Sequence, residues 1–172
     1  MTGARFIIFT IITLLVQIFI AEFINLHQMV YIVITPLPVL FLPYNYSKSL
    51  TMVFAFIIGL LTDLSYDGVM GLNAAALVAV AFFKEPVLKL IVSKATRENL
   101  SEINSATAGK RAFALVSLAL CSVFFLFYIA LDNVLYFSFA YTLARFIINV
   151  LLNTFIIMLA EFTLFRGFLE KR

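Results

Sequence analysis

Residues 113–131 read FALVSLALCSVFFLFYIAL, a run with no charged side chain. An α-helix needs about 20 such residues to cross the hydrocarbon core of a bilayer, so the run is read as a transmembrane helix. The rest of the chain repeats the pattern. Of 172 residues, 64% are apolar and 12% charged, against roughly 45–50% and about 25% in soluble domains. That balance excludes an ordinary aqueous domain and a disordered chain. Polar interruptions mark six apolar stretches at about 6–24, 28–43, 50–65, 70–92, 112–131 and 139–165. The prediction is an all-α integral membrane protein, one membrane domain over 1–172 with six transmembrane helices.

Two stretches need comment. The first follows Arg5 and ends Ile20-Ala21-Glu22-Phe23, without the small-x-small pattern of a cleavage site, and is read as an uncleaved helix. The second is short and carries Thr35-Pro36-Leu37-Pro38, with Pro43 closing it. Proline removes a backbone donor, so this span is expected to be broken, extended or shielded by its neighbours.

Positive charge sets the orientation. Arg5, Lys48, the group Lys84, Lys89, Lys94, Arg97, Lys110 and Arg111, and finally Arg166, Lys171 and Arg172 fall on alternate connections. The other connections (22–28, 63–70 and 132–138) hold no Lys or Arg but contain Glu22, Asp63, Asp67 and Asp132. Both termini are therefore expected in the cytoplasm. The basic balance of +3 is topogenic, and nucleic acid is not expected, because the cations are spread over four segments without an aromatic platform. In the basic loop 84–111, Val87, Leu90, Ile91 and Ala95 follow helical spacing, which predicts a short helix lying on the anionic inner surface.

Polar residues inside the spans each need a partner. Arg145, Asn149 and Asn153 recur every fourth residue and share one helical face. Arg145 is expected to pair with Asp63, or failing that with Glu22 or Asp67. Ala55, Gly59 and Asp63 recur at the same spacing on span three, and Gly71, Ala75 and Ala79 on span four. Small residues so spaced let two helices approach closely. The turn Ser65-Tyr66-Asp67-Gly68-Val69-Met70-Gly71 suits a tight hairpin, and Asn73 can satisfy the turn or face Asp63. Thr10, Thr13 and Gln17 form a polar stripe on span one, read as an interhelical hydrogen-bonding face. Glu161 is expected to meet Arg166 or Arg5, and His27 to be solvated. With Trp absent, Tyr31, Tyr44, Tyr46, Tyr66, Tyr136 and Tyr141 are the interfacial anchors.

Catalytic patterns are missing. One His and one Cys (Cys121, inside an apolar run) stand far apart, with no HExxH, GxSxG or glycine-rich phosphate loop. Asp63 and Asp67 do not suit an aspartyl protease, because Asp67 falls in the turn. Neither enzyme activity nor a metal or cofactor is expected.

Phe56-Ile57-Ile58-Gly59-Leu60-Leu61-Thr62-Asp63-Leu64, followed by Gly71-Leu72-Asn73-Ala74-Ala75-Ala76-Leu77, resembles the signature of the MreD family of rod shape-determining membrane proteins. The matching positions are Gly59, Asp63, Gly71 and Asn73. The resemblance implies a non-catalytic scaffold of the bacterial cell-elongation machinery in the inner membrane. It also implies binding to MreC and, through it, to MreB, RodA and its partner transpeptidase. The family's fold is similar to that of the substrate-binding subunits of energy-coupling-factor vitamin transporters, which gives the alternative reading. Those subunits carry an alanine-x-x-x-alanine motif on span one, whereas this chain reads Phe6-Ile7-Ile8-Phe9-Thr10-Ile11-Ile12 there.

Overall fold

In the computed structural model, the residues described are 3–23, 29–43, 46–64, 69–98, 103–132 and 138–165. Among them every regular element is helical: α1 (Gly3–Phe23), α2 (Pro36–Phe41), α3 (Lys48–Asp63), α4 (Leu72–Ile91), α5 (Lys94–Glu98), α6 (Lys110–Asp132) and α7 (Phe139–Ala160). A π-helical turn, Glu161–Phe165, continues α7. Three helices, α1, α6 and α7, are long and apolar enough to cross a membrane. α3 has only 16 residues, and α4 carries Lys84, Glu85 and Lys89 in its second half.

Exposed apolar side chains run along helix faces at every fourth residue. On α1 they are Ile7, Ile11, Leu15, Phe19 and Phe23, and on α7 Leu143, Ile147, Leu151, Phe155 and Leu159. Continuous apolar stripes of this length are unsuited to water and suited to lipid.

α3 and α4 form the most extensive pairing; α4 then packs on α6 and α6 on α7, while α1 lies against α2 and α3. Threaded among them is the second apolar stretch, which is not a spanning helix. Residues 30–34 are extended and only Pro36–Phe41 is helical. Pro36 occupies the first helical position and Pro38 the first turn, where a missing N–H leaves no bond unmade. Residues 33–42 are all buried. Phe41 meets Phe9 of α1 edge-on at 5.4 Å and stacks on Phe113 of α6 at 6.2 Å. Irregular backbone at membrane depth is tolerated where protein surrounds it on every side, as it does here.

The basic loop also departs from expectation. Val87, Leu90 and Ile91 belong to the end of α4, and α5 after the break at Ser93 is only five residues long. The apolar spacing that suggested a separate surface helix is the last turn of the preceding one.

Candidate functional site

The first four N–H groups of a helix have no partner within it. At the start of α4 the last residue of α3 takes three of them, and that of Leu72 donates to Val69 C=O. Asp63 Oδ2 accepts hydrogen bonds from the backbone N–H of Gly71 (3.0 Å) and Ala74 (3.2 Å). Its Oδ1 accepts from the backbone N–H of Asn73 (3.0 Å) and from Asn73 Nδ2 (2.9 Å). A buried carboxylate with four donors, at the positive end of a helix dipole, clamps the hairpin shut. Gly71 has φ +98°, a left-handed conformation that favours glycine.

Below the clamp, Gly59 brings the two backbones into contact. A Cβ added there would lie 2.3 Å from Ala74 Cα. Ala55 is buried on the same side of α3, but Ala75, expected in this seam, is exposed. The correction follows from Gly71. It caps α4 rather than joining it, and Asp63's hold on residues 71, 73 and 74 turns Ala74 inward in place of Ala75.

A second set of polar residues holds the extended segment. In a strand, alternate residues direct N–H and C=O to the same side. Towards α7, Asn149 Oδ1 accepts from Tyr31 N–H (2.6 Å) and its Nδ2 donates to Met29 C=O (2.7 Å). Asn153 repeats this with Val33 N–H and Tyr31 C=O, both at 2.7 Å. Towards α1, Gln17 accepts from Ile34 N–H (2.8 Å) and donates to Ile32 C=O (3.1 Å). Side-chain amides thus replace the neighbouring strands of a sheet. Of the polar stripe on α1, only Gln17 reaches another element by these bonds; Thr10 and Thr13 donate to carbonyls of their own helix, Phe6 and Phe9.

Tyr31 joins the two sets. It is no interfacial anchor: it is buried, its hydroxyl donates to Asn73 Oδ1 at 3.0 Å, and its ring stacks on Tyr128 at 4.8 Å. Asp63, Asn73, Tyr31 and Asn149 therefore form one hydrogen-bonded path from the α3–α4 hairpin to α7. Arg145 shares the buried face of α7 with Asn149 and Asn153, as the spacing predicts.

Among the described residues Arg145 pairs with a carboxylate that the spacing did not suggest. Arg145 Nη1 lies 2.7 Å from Asp132 Oδ2, at the end of α6. Asp63 is committed to the hairpin, and neither it nor Glu22 pairs with Arg145 among the described residues. Arg145→Glu is expected to lower the amount of folded protein several-fold by setting two carboxylates against each other. Adding Asp132→Arg should restore most of it, as quantified by fluorescence-detected size exclusion. Lack of rescue would argue against the pair. Glu161 also finds another partner: its Oε1 accepts from Ser105 N–H (3.0 Å) and Ser105 Oγ (2.7 Å). It fastens the 103–108 loop to the end of α7 rather than meeting Arg5. His27, Tyr44, Tyr66, Asp67, Tyr136, Arg166, Lys171 and Arg172 lie outside the described residues.

One residue was missed altogether. Lys84, read from sequence as a topogenic charge, is buried, and its Nζ donates to the carbonyls of Val39 (2.8 Å) and Leu42 (2.7 Å). It caps the C-terminal end of α2, where carbonyls lack partners and a cation is favoured. The signal lay in the prolines, since a broken span needs donors from elsewhere.

Among the described residues no group of three or more His, Cys, Asp or Glu side chains could hold a metal. The site residues are engaged with other parts of the same chain, an arrangement suited to fixing the relative positions of helices. Comparison with protein-family models, curated proteins and solved structures found no match.

Proposed function

We propose that this chain is a six-span, non-catalytic scaffold subunit of the bacterial cell-elongation complex. It resides in the inner membrane with both termini cytoplasmic. On this reading it binds MreC and, through it, joins MreB, RodA and its partner transpeptidase in lateral peptidoglycan synthesis.

One observation carries the reading: the four positions that match the MreD pattern meet in a single hairpin. Gly59 sets the approach of the helices, Asp63 clamps it, Gly71 makes the turn and Asn73 passes the network to Tyr31. A surface held so firmly is a shape that another protein can recognise at little entropic cost.

The direction of the chain supports six passes. Residues 29–33 run alongside 149–153 in the same sense, as the second and sixth passes of an alternating topology must. Asp63, Asp132 and Arg145 belong to one end of the helices, while Lys48, Lys84 and Lys110 belong to the other.

The test is co-expression of the tagged full chain with the MreC of the same cell, followed by purification in mild detergent. MreC should copurify in comparable amount, and depletion of the chain should turn rods into spheres. A monodisperse chain that brings no MreC, together with unchanged cell shape on depletion, would overturn the proposal. So would a tightly held vitamin in the purified material.

A further inference from the structure

At the basic end of the bundle, the start of α3 and the second half of α4 enclose a cavity of about 270 Å³, lined in part by Tyr46, Ser47, Lys48, Thr51, Lys84 and Glu85. We infer that it receives the phosphate of an anionic phospholipid headgroup from the adjoining leaflet.

The argument starts from Lys84. Its ammonium has three N–H donors, and two go to the carbonyls of Val39 and Leu42. Carbonyl dipoles are its partners, and among the described residues no carboxylate lies within ion-pair distance. A cation this deeply buried (6% exposed) is stabilised by an anion, because desolvation is costly unless charge is matched. Glu85 lines the same cavity but is drawn to Lys89 one turn along the exposed side of α4.

Lys48 adds a second ammonium. It lies over the Phe82 ring at 3.4 Å, a contact with the aromatic face that leaves its N–H groups available to an oxygen ligand. Tyr46 and Ser47 bring two hydroxyls to the lining, while that of Thr51 already donates to Ser47 C=O at 3.2 Å, and the positive end of the α3 dipole adds to the attraction. Two ammonium groups with hydroxyls suit the several acceptor oxygens of a phosphate.

Size and surroundings favour a lipid. The cavity lies just under the about 300–1,000 Å³ typical of small-molecule pockets, so it suits a headgroup more than a larger metabolite. Phe82, beneath Lys48, and Leu50, beside Thr51, are exposed apolar side chains along which acyl chains can lie. Basic pockets between helices on the positive side of membrane proteins hold such headgroups.

The experiment follows the thermal unfolding of the full chain in neutral detergent while short-chain phosphatidylglycerol, phosphatidylcholine of the same chain length or inorganic phosphate is titrated in. A ligand of the folded state raises the midpoint. Phosphatidylglycerol should raise it by several degrees, while phosphatidylcholine and inorganic phosphate leave it unchanged. Lys48→Gln should need about fivefold more phosphatidylglycerol for the same shift, the loss of one lysine's attraction. The double variant Lys110→Gln/Arg111→Gln, away from the cavity, should titrate like the parent.

An equal response to phosphatidylcholine, or a response to inorganic phosphate alone, overturns the lipid assignment. So does an unaltered titration of Lys48→Gln, or a shift abolished by the Lys110/Arg111 variant, which would place binding on the loop. Lys84 is left intact because it also caps α2. No arm involves MreC, so failure here is distinct from failure of the scaffold reading.

Discussion

Gly59→Leu is expected to reduce monodisperse protein in a membrane extract at least tenfold, the largest loss of any single substitution in the α3–α4 hairpin. The Cβ alone would stand 2.3 Å from Ala74 Cα, 2.6 Å from Ala74 N and 2.9 Å from the carbonyl carbon of Asn73. Carbon atoms in contact rest at about 3.5–4.0 Å, so the helices must separate by an ångström or more. All three neighbours are backbone and cannot rotate away. Separation also draws the N–H groups of Asn73 and Ala74 off Asp63, so overpacking and loss of the clamp occur together. Overpacking by itself costs about 1–3 kcal/mol, and a buried carboxylate losing donors adds to it. Gly59→Ala should lower the unfolding midpoint clearly, and Gly59→Leu should leave little folded protein. Ala75→Leu, on an exposed position one residue from the contact, should behave like the parent in size exclusion. Equal damage from Ala75→Leu would show that the seam follows the period-four pattern of the sequence and not the geometry described.

That contrast shows what the sequence could and could not reveal. The apolar runs lie close to the helices, because about 20 residues without charge have few alternatives. The polar face of α7 was legible from i, i+4 spacing alone. The identity of contacts was less so. Arg145 had several acidic candidates, and which one it meets depends on how the ends of α6 and α7 are placed. Asp63 looked like a free counter-ion because a charge count does not register the N–H groups at the start of α4, and those groups take both its oxygens. Ala75 was misplaced by one residue because Gly71 reads as part of a period-four stripe until its left-handed φ is known. Lys84 was counted with the other cations, although its position two turns before the end of α4 let it turn inward to α2. The prolines correctly indicated that the second apolar stretch is broken. The need that break creates, for partners to five or more backbone groups, pointed to Gln17, Asn149 and Asn153, and it could have been followed from the sequence.

Asn153→Leu is expected to have the second-largest effect, and its signature should be local. Asn149 and Asn153 are four residues apart on α7, a rise of about 6 Å. Tyr31 and Val33 are two apart in an extended chain, about 6.6 Å. The two repeats nearly coincide, so successive amides meet successive strand residues without strain. Asn153 is fully buried, and leucine in its place removes the partner of Val33 N–H and the amide bond to Tyr31 C=O. Hydrogen bonds between side chains in membranes are worth only about 0.6 kcal/mol on average, because each group finds another partner when one is lost. Val33 has no such recourse: its N–H makes no helical bond, and it is fully buried away from water. The appropriate magnitude is therefore that of an orphaned backbone group, about 1–3 kcal/mol or more in lipid for Val33 N–H. Hydrogen–deuterium exchange on the folded chain should show Val33 N–H losing protection in Asn153→Leu, while Ile34 N–H, held by Gln17, loses much less. Asn149→Leu should instead release Tyr31 N–H. If Val33 stays as protected as in the parent, the segment is held by the packing of its side chains, and the amides of α7 contribute direction without strength.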